Sequence, residues 1–357
     1  MGFVSPGLGP IAVLCNLGTC GSLAQNLGVT EPDSSQAGRA GAAGERGTFC
    51  ALVGPTAVGK TELSLIVAER AGAEIISIDS MLVYRGLDIG TAKPGADVTE
   101  RVKHHVIDCV DPPERYDARR YITDVREAET DLAARQTRGL YSGGTGFYLK
   151  ALTHGLFEGP VANLKQRELL IKRARDEGSP SLHKELSAAD PKAAGRIHPN
   201  DERRIVRALE VWLDTGRTLS DWQRQWRDES EEKSAGRKRC LIGLELEPSE
   251  LDVRIRDRTR AMLDAGWVEE ARAIREGVGF GPTSASALGY REVLAFADGD
   301  LTREELEEQI FLRTRQFARK QRTWYRSYED IQWIPAPLGE GEALKQTAEL
   351  VLRAFDW

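Results

Sequence analysis

Gly54-Pro55-Thr56-Ala57-Val58-Gly59-Lys60-Thr61 fills every slot of the phosphate-binding pattern G-x-x-x-x-G-K-[ST]. Its glycines let backbone N–H groups close around a phosphate, and a helix starting there adds the positive end of its dipole. Lys60 is a mobile cation for outer phosphate oxygens, and the Thr61 hydroxyl can reach Mg²⁺. The loop calls for a diphosphate or triphosphate and leaves the reaction open. A Gly-rich turn before an ordinary helix is the plainer alternative.

Other residues could complete a reaction centre. Asp79 closes the apolar run Ala73–Ile78 and opens Asp79-Ser80-Met81-Leu82-Val83-Tyr84-Arg85-Gly86. At the C-terminal end of a parallel strand it would face the ligand crevice, as a Mg²⁺ ligand, a general base or a helix N-cap. Gly143-Gly144-Thr145-Gly146 is a second strand-to-helix glycine turn, weak by itself. Arg203, Arg204 and Arg207 put two guanidiniums on one helix face, and Arg254 and Arg258 lie one turn apart on another. The first set suits anionic contact, while Arg254 and Arg258 either clamp a diphosphate bidentately or form ordinary surface ion pairs with Asp257 and Glu250. Residues 313–326 hold six basic residues and no acid, interleaved with Phe317, Trp324 and Tyr325. That stripe suits a nucleic-acid backbone with base stacking, or a solvated helix face.

The elements that must position these groups alternate strand and helix. Phe49–Val53 reads as a buried strand before the loop, and Leu63, Ile66 and Val67 follow it at helical spacing. Strands are expected at 73–79, 105–110, 139–142 and 239–244, with helices at 118–135 and 147–153, a helix pair over 249–276, and a long helix at 302–326. This is an α/β chain with a P-loop NTPase-like parallel sheet core. Between 160 and 235 charged helical patterns prevail, broken at Gly178-Ser179-Pro180, Asp190-Pro191 and His198-Pro199-Asn200. The expected organisation is a core of 47–159 and 236–330, a mostly helical insertion at 160–235, and a C-terminal tail or helix at 331–357. Residues 1–46 are dominated by Gly, Ala and Ser and read as a disordered extension, or as sequence upstream of the true start.

The totals exclude some classes. No apolar run approaches a membrane span, and five scattered cysteines make neither a zinc site nor a disulfide framework. A reducing cytoplasm is expected, and a monomer with no membrane partner. The net charge of −6 argues mildly against nucleic acid, but the average hides the segregated basic stripe.

Together the segments resemble the tRNA dimethylallyltransferase family. The resemblance rests on 54–61, on Asp79 to Pro94, on His104-His105-Val106-Ile107-Asp108-Cys109-Val110-Asp111-Pro112, and on Gly143 to Tyr148. Arg196-Ile197-His198-Pro199-Asn200-Asp201-Glu202-Arg203-Arg204, 287–292 and 315–324 extend it, in order, from about 48 to 326. It implies transfer of a dimethylallyl group from dimethylallyl diphosphate to N6 of the adenosine just 3′ of the anticodon in tRNA. By the same resemblance Thr56 and the rest of 54–61 hold the diphosphate, Arg254 helps, and Asp79 takes the N6 proton. The positions matching tRNA contacts are Asp79, Ser80, Met81, Leu82, Thr145, Arg167, Arg203, Arg204, Ile205, Val206 and Arg207, with Ser286, Ala287, Leu288, Gly289, Tyr290 and Arg291. The chain departs from the family's usual residues at Leu82, Arg203, Ser286 and Gly146, where a larger residue, often Met, is usual at the last. Eukaryotic relatives carry a C-terminal zinc finger, so the bacterial form is expected. The rival readings are a small-molecule kinase or ATPase, a prenyltransferase acting on free AMP, and an RNA-binding protein with a purely structural loop.

Overall fold

A computed structural model describes residues 48–156, 163–224, 238–337, 339 and 341–357. The expected extension 1–46 and the stretches 160–162 and 225–235 of the expected insertion lie outside the described residues. The strands are β1 (Phe49–Val53), β2 (Ala73–Ile78), β3 (His104–His105), β4 (Arg138–Gly143), β5 (Arg239–Glu245) and β6 (Ile331–Pro335). They form one sheet in the order β3-β2-β4-β1-β5-β6, and every pairing is parallel. The helices are α1 (Lys60–Ala71), α2 (Ala96–Arg101), α3 (Ala118–Ala134), α4 (Gly146–His154), α5 (Leu164–Glu177), α6 (Ser179–Ala189), α7 (Pro191–Ala194), α8 (Glu202–Thr215), α9 (Pro248–Asp264), α10 (Trp267–Glu276), α11 (Tyr290–Ala297), α12 (Arg303–Tyr325) and α13 (Glu342–Phe355).

A parallel sheet needs cover on both faces, and β1 is buried on both. Its side chains alternate between two apolar layers, as the strand period of two requires. Cys50 and Leu52 pack with Leu63 and Val67 of α1 and with Ala348 and Val351 of α13. Phe49, Ala51 and Val53 pack on the other face with Tyr121 of α3, Leu149 of α4 and Tyr325 of α12. The helices α5 to α8 have their own small core, in which Leu170, Leu182, Leu186, Ile205 and Leu209 meet. A capping box at Thr302 and Glu305 starts α12, which runs against α9 through Leu251, Ile255, Phe311 and Ala318.

Two expectations need correction. The strand expected at 105–110 is the two-residue β3, because Val106 (φ 60°) and Asp108 (φ 50°) turn the chain out of extended geometry. The expected C-terminal tail or helix at 331–357 begins with β6, which pairs with β5 from Leu241↔Ile331 to Glu245↔Pro335 before α13. With only Ile331 and Ile334 buried along it, this edge strand shows no clean alternation to read.

Candidate active site

Register brings the chemistry together. Val53 of β1 and Ile78 of β2 both pair with Gly143 of β4. The next residue of each strand, Gly54, Asp79 and Gly144, therefore emerges side by side at the C-terminal edge of the sheet, where open α/β folds bind ligands. Asp79, the phosphate loop and the second glycine turn are separate in sequence and adjacent in space for that reason.

The phosphate loop enters α1 through Gly59, whose φ of 97° places it in the left-handed region that favours glycine. The Lys60 Nζ folds back and donates to Gly54 O at 3.0 Å and Pro55 O at 2.6 Å. Desolvation, then the nearby Arg258 charge, pull its pKa down to about 7, with Asp79 opposing. The Asp79 Oδ1 accepts from the N–H groups of Met81 (2.8 Å) and Leu82 (3.4 Å). Desolvation raises its pKa, while those two N–H groups, Lys60 and Arg258 resist the rise. Asp79 thus caps a turn with one oxygen, and its carboxylate still lines the cavity described below.

Two arginines of α9 reach the loop. Arg254 donates to Val58 O at 3.2 Å and to Pro337 O at 2.7 Å, and Arg258 donates to the Thr56 hydroxyl at 3.3 Å. Neither is the surface ion pair that the sequence left open. Burial lowers the Arg258 pKa, with Asp79 resisting. Gln321 of α12 is 7% exposed and bridges the two glycine turns. Its Oε1 accepts from the Thr56 N–H at 2.8 Å, and its Nε2 donates to Gly144 O at 2.8 Å. The Thr145 hydroxyl accepts from the Ser80 N–H at 3.1 Å. These groups surround a cavity of about 1240 Å³ whose lining includes Lys60, Thr61, Asp79, Arg254, Leu288 and Phe317.

The site residues read from sequence divide. The loop residues Thr56, Lys60 and Thr61, Asp79 to Leu82, Thr145, Arg254 and Ser286 to Leu288 share the cavity. Arg167 and Arg203 to Arg207 belong instead to the helices with their own core. The expected tRNA contacts Ile205 and Val206 are buried in that core, so their side chains offer nothing to a ligand. Tyr290 is likewise buried against Trp267, and its hydroxyl donates to Glu270 at 2.6 Å. The basic stripe is only partly unpaired by acids, since Arg313 binds Glu292 and Arg315 binds Asp252.

Sequence reasoning missed Gln321, Glu270 and the role of Trp324. Glu270 accepts from the N–H groups of Asp88, Ile89 and Gly90 at 3.0, 2.6 and 3.1 Å, which fixes the loop after Asp79. A Cβ on Gly146 would collide with the Trp324 ring, so the indole occupies the space that a larger residue would take. Arg258 was visible as the i+4 partner of Arg254. Gln321 carried no signal, because its partners lie 265 and 177 residues away.

Gln321→Ala would leave a buried N–H and C=O unpaired, at about 1–3 kcal/mol each. The variant is expected to melt at a lower temperature and to bind inorganic diphosphate more weakly in titration calorimetry. Unchanged diphosphate affinity would show that the bridge does not shape the loop.

Fold and site together define a phosphate-loop transferase with a carboxylate beside the phosphate cradle. The IPP transferase family profile matches residues 82–328, and the isopentenyl transferase profile matches 48–108. A tRNA dimethylallyltransferase of Geobacter sulfurreducens is 40% identical over 298 residues, covering 83% of this chain and 94% of that protein. The solved full-length tRNA isopentenylpyrophosphate transferase of Bacillus halodurans is 33% identical with a TM-score of 0.61, covering 87% of this chain and 97% of that one. A eukaryotic dimethylallyltransferase solved while acting on tRNA is 28% identical with a TM-score of 0.65, covering 81% of this chain and 74% of that one. The chain belongs to the IPP transferase family, and it is a prenyltransferase. Among the described residues no helix is long and apolar enough to cross a membrane.

Proposed function

We propose that the protein transfers the dimethylallyl group of dimethylallyl diphosphate to N6 of the adenosine 3′-adjacent to the anticodon of tRNA. N6 attacks the allylic carbon, the C–O bond breaks, diphosphate leaves with the electron pair, and the N6 proton passes to Asp79. The observation that carries this reading is the shared register that sets Asp79 beside Lys60 and the phosphate loop. An exocyclic amine is a poor nucleophile, so a carboxylate kept partly desolvated is a fitting acceptor for its proton. Lys60, Arg254 and Arg258 neutralise the leaving diphosphate, and the Thr56 hydroxyl donates a hydrogen bond to it.

Mg²⁺ fits the Thr61 hydroxyl, which lines the cavity where there is room for diphosphate oxygens. When bound it would neutralise charge on the leaving group. The acidic cluster Glu74, His105 and Asp131 is not a rival site, because Arg135 already binds both carboxylates.

The acceptor must be drawn out of the anticodon-loop stack to reach Asp79. Ser80, Met81, Leu82, Thr145, Ser286 and Leu288 line its approach, and Arg167, Arg203, Arg204, Arg207 and Arg291 meet the backbone. The unpaired thiols of Cys109 and Cys240 fit a reducing cytoplasm.

The test is incubation of purified protein with dimethylallyl diphosphate, Mg²⁺ and unmodified tRNA, followed by mass spectrometry of the nucleosides. N6-dimethylallyladenosine at the position 3′ of the anticodon is expected. Modification of free AMP in preference to tRNA, or phosphate transfer from ATP, would overturn the reading.

A further inference from the structure

Two buried glutamates in different parts of the fold share one arrangement. Glu210 of α8 is 0% exposed, and its Oε2 accepts from Arg167 at 2.8 Å and Arg207 at 3.2 Å. Glu292 of α11 is 2% exposed, and its Oε1 accepts from Arg291 at 3.3 Å and Arg313 at 2.7 Å. In each, the second carboxylate oxygen is buried with no hydrogen-bond partner. A buried carboxylate that leaves half its acceptor capacity unused costs free energy, and an exposed ion pair would avoid that cost.

The arrangement has two consequences. At Glu292, one carboxylate against two guanidiniums leaves a surplus positive charge. The arrangement also anchors the guanidiniums of Arg167, Arg291 and Arg313 by one edge, and a guanidinium has five N–H donors, so most of theirs remain for another acceptor. The arginine side chains keep solvent access, from 31% for Arg207 to 73% for Arg291. Arg313 also lines the cavity.

We propose that Glu210 and Glu292 are positioning residues for tRNA, each holding two arginines pre-aligned for phosphate oxygens. This rests on the tRNA reading above. The sign of a charge-removing substitution separates positioning from bulk electrostatics. Glu→Gln adds one positive charge, so electrostatics alone would tighten tRNA binding. Loss of alignment would weaken it.

The experiment measures tRNA affinity by filter binding at two salt concentrations for Glu210→Gln, Glu292→Gln, Arg167→Ala and Arg291→Ala. Donor KM and the rate at saturating tRNA are measured on the same preparations. The expected result is about tenfold weaker tRNA binding for each Glu→Gln variant, as for loss of a charged hydrogen bond. Donor KM and the saturated rate should stay near native. Unchanged or tighter tRNA binding by the Gln variants, with weaker binding by the Ala variants, would overturn the positioning role and leave the tRNA reading standing. Native tRNA affinity in all four would remove the tRNA reading of these arginines and the proposal with it. A parallel fall in donor binding would assign the glutamates a general folding role and also overturn it. Should a Gln variant not fold, the matching Asp variant, which keeps the charge but falls short of both arginines, carries the test.

Discussion

Asp79→Asn is expected to lower the single-turnover transfer rate by about 10²–10⁴-fold, the usual contribution of a positioned general base. Asn keeps the shape and the turn made by the Met81 and Leu82 N–H groups, because its amide oxygen can accept as Oδ1 does. It cannot take a proton. Donor and tRNA affinity should therefore stay near native. The pH dependence follows from the raised pKa of Asp79. Only the deprotonated carboxylate accepts a proton, so the native rate falls as pH drops through that raised pKa and recovers above it. Asp79→Asn should lose this acid limb. A Mg²⁺ titration separates the competing role, because a lost metal ligand weakens donor binding and is partly restored by more Mg²⁺. A near-native rate, or recovery as Mg²⁺ rises, would sink the base assignment.

Lys60→Ala should remove about 2–4 kcal/mol of transition-state stabilisation, the range for a charged or oriented donor lost from a developing anion. This corresponds to a fall of about 30- to 10³-fold in kcat/KM for the donor. In the free protein Lys60 is bound to Gly54 O and Pro55 O, so the donor must exchange those carbonyls for its own oxygens. Its pKa, pulled down to about 7, adds a linked signature. Above neutral pH the free lysine is largely neutral, and a diphosphate favours its charged form. Donor binding should therefore take up a proton between about pH 7 and 9 in the native protein. Calorimetry in buffers of different ionisation enthalpy reads that uptake, and Lys60→Ala should abolish it. Near-native turnover by a folded Lys60→Ala protein would remove the loop lysine from the mechanism.

The sequence by itself determined the phosphate loop, its strand and helix, the parallel sheet core and the family. Each of these is carried by local pattern: glycines at fixed offsets, an apolar run buried on both faces, a carboxylate at a strand end. It also put Arg254 and Arg258 on one helix face, since helical spacing is local. Only the tertiary structure decided that Arg258 serves Thr56 and not a surface acid, because an arginine's partner depends on what packs opposite the helix. The same holds for Gln321, whose polar side chain sits in a basic stripe and finds both its partners across the sheet edge. Ile205 and Val206 lie in an arginine-rich stretch, yet the period of α8 turns them into the core. The edge strand β6 was unreadable for a related reason: it is held by pairing with β5, and backbone hydrogen bonds across a sheet leave little trace in side-chain pattern. Above all, the alignment of Gly54, Asp79 and Gly144 is a matter of register. Strand register is set by how three separated segments pack side by side, and no one of them encodes it alone.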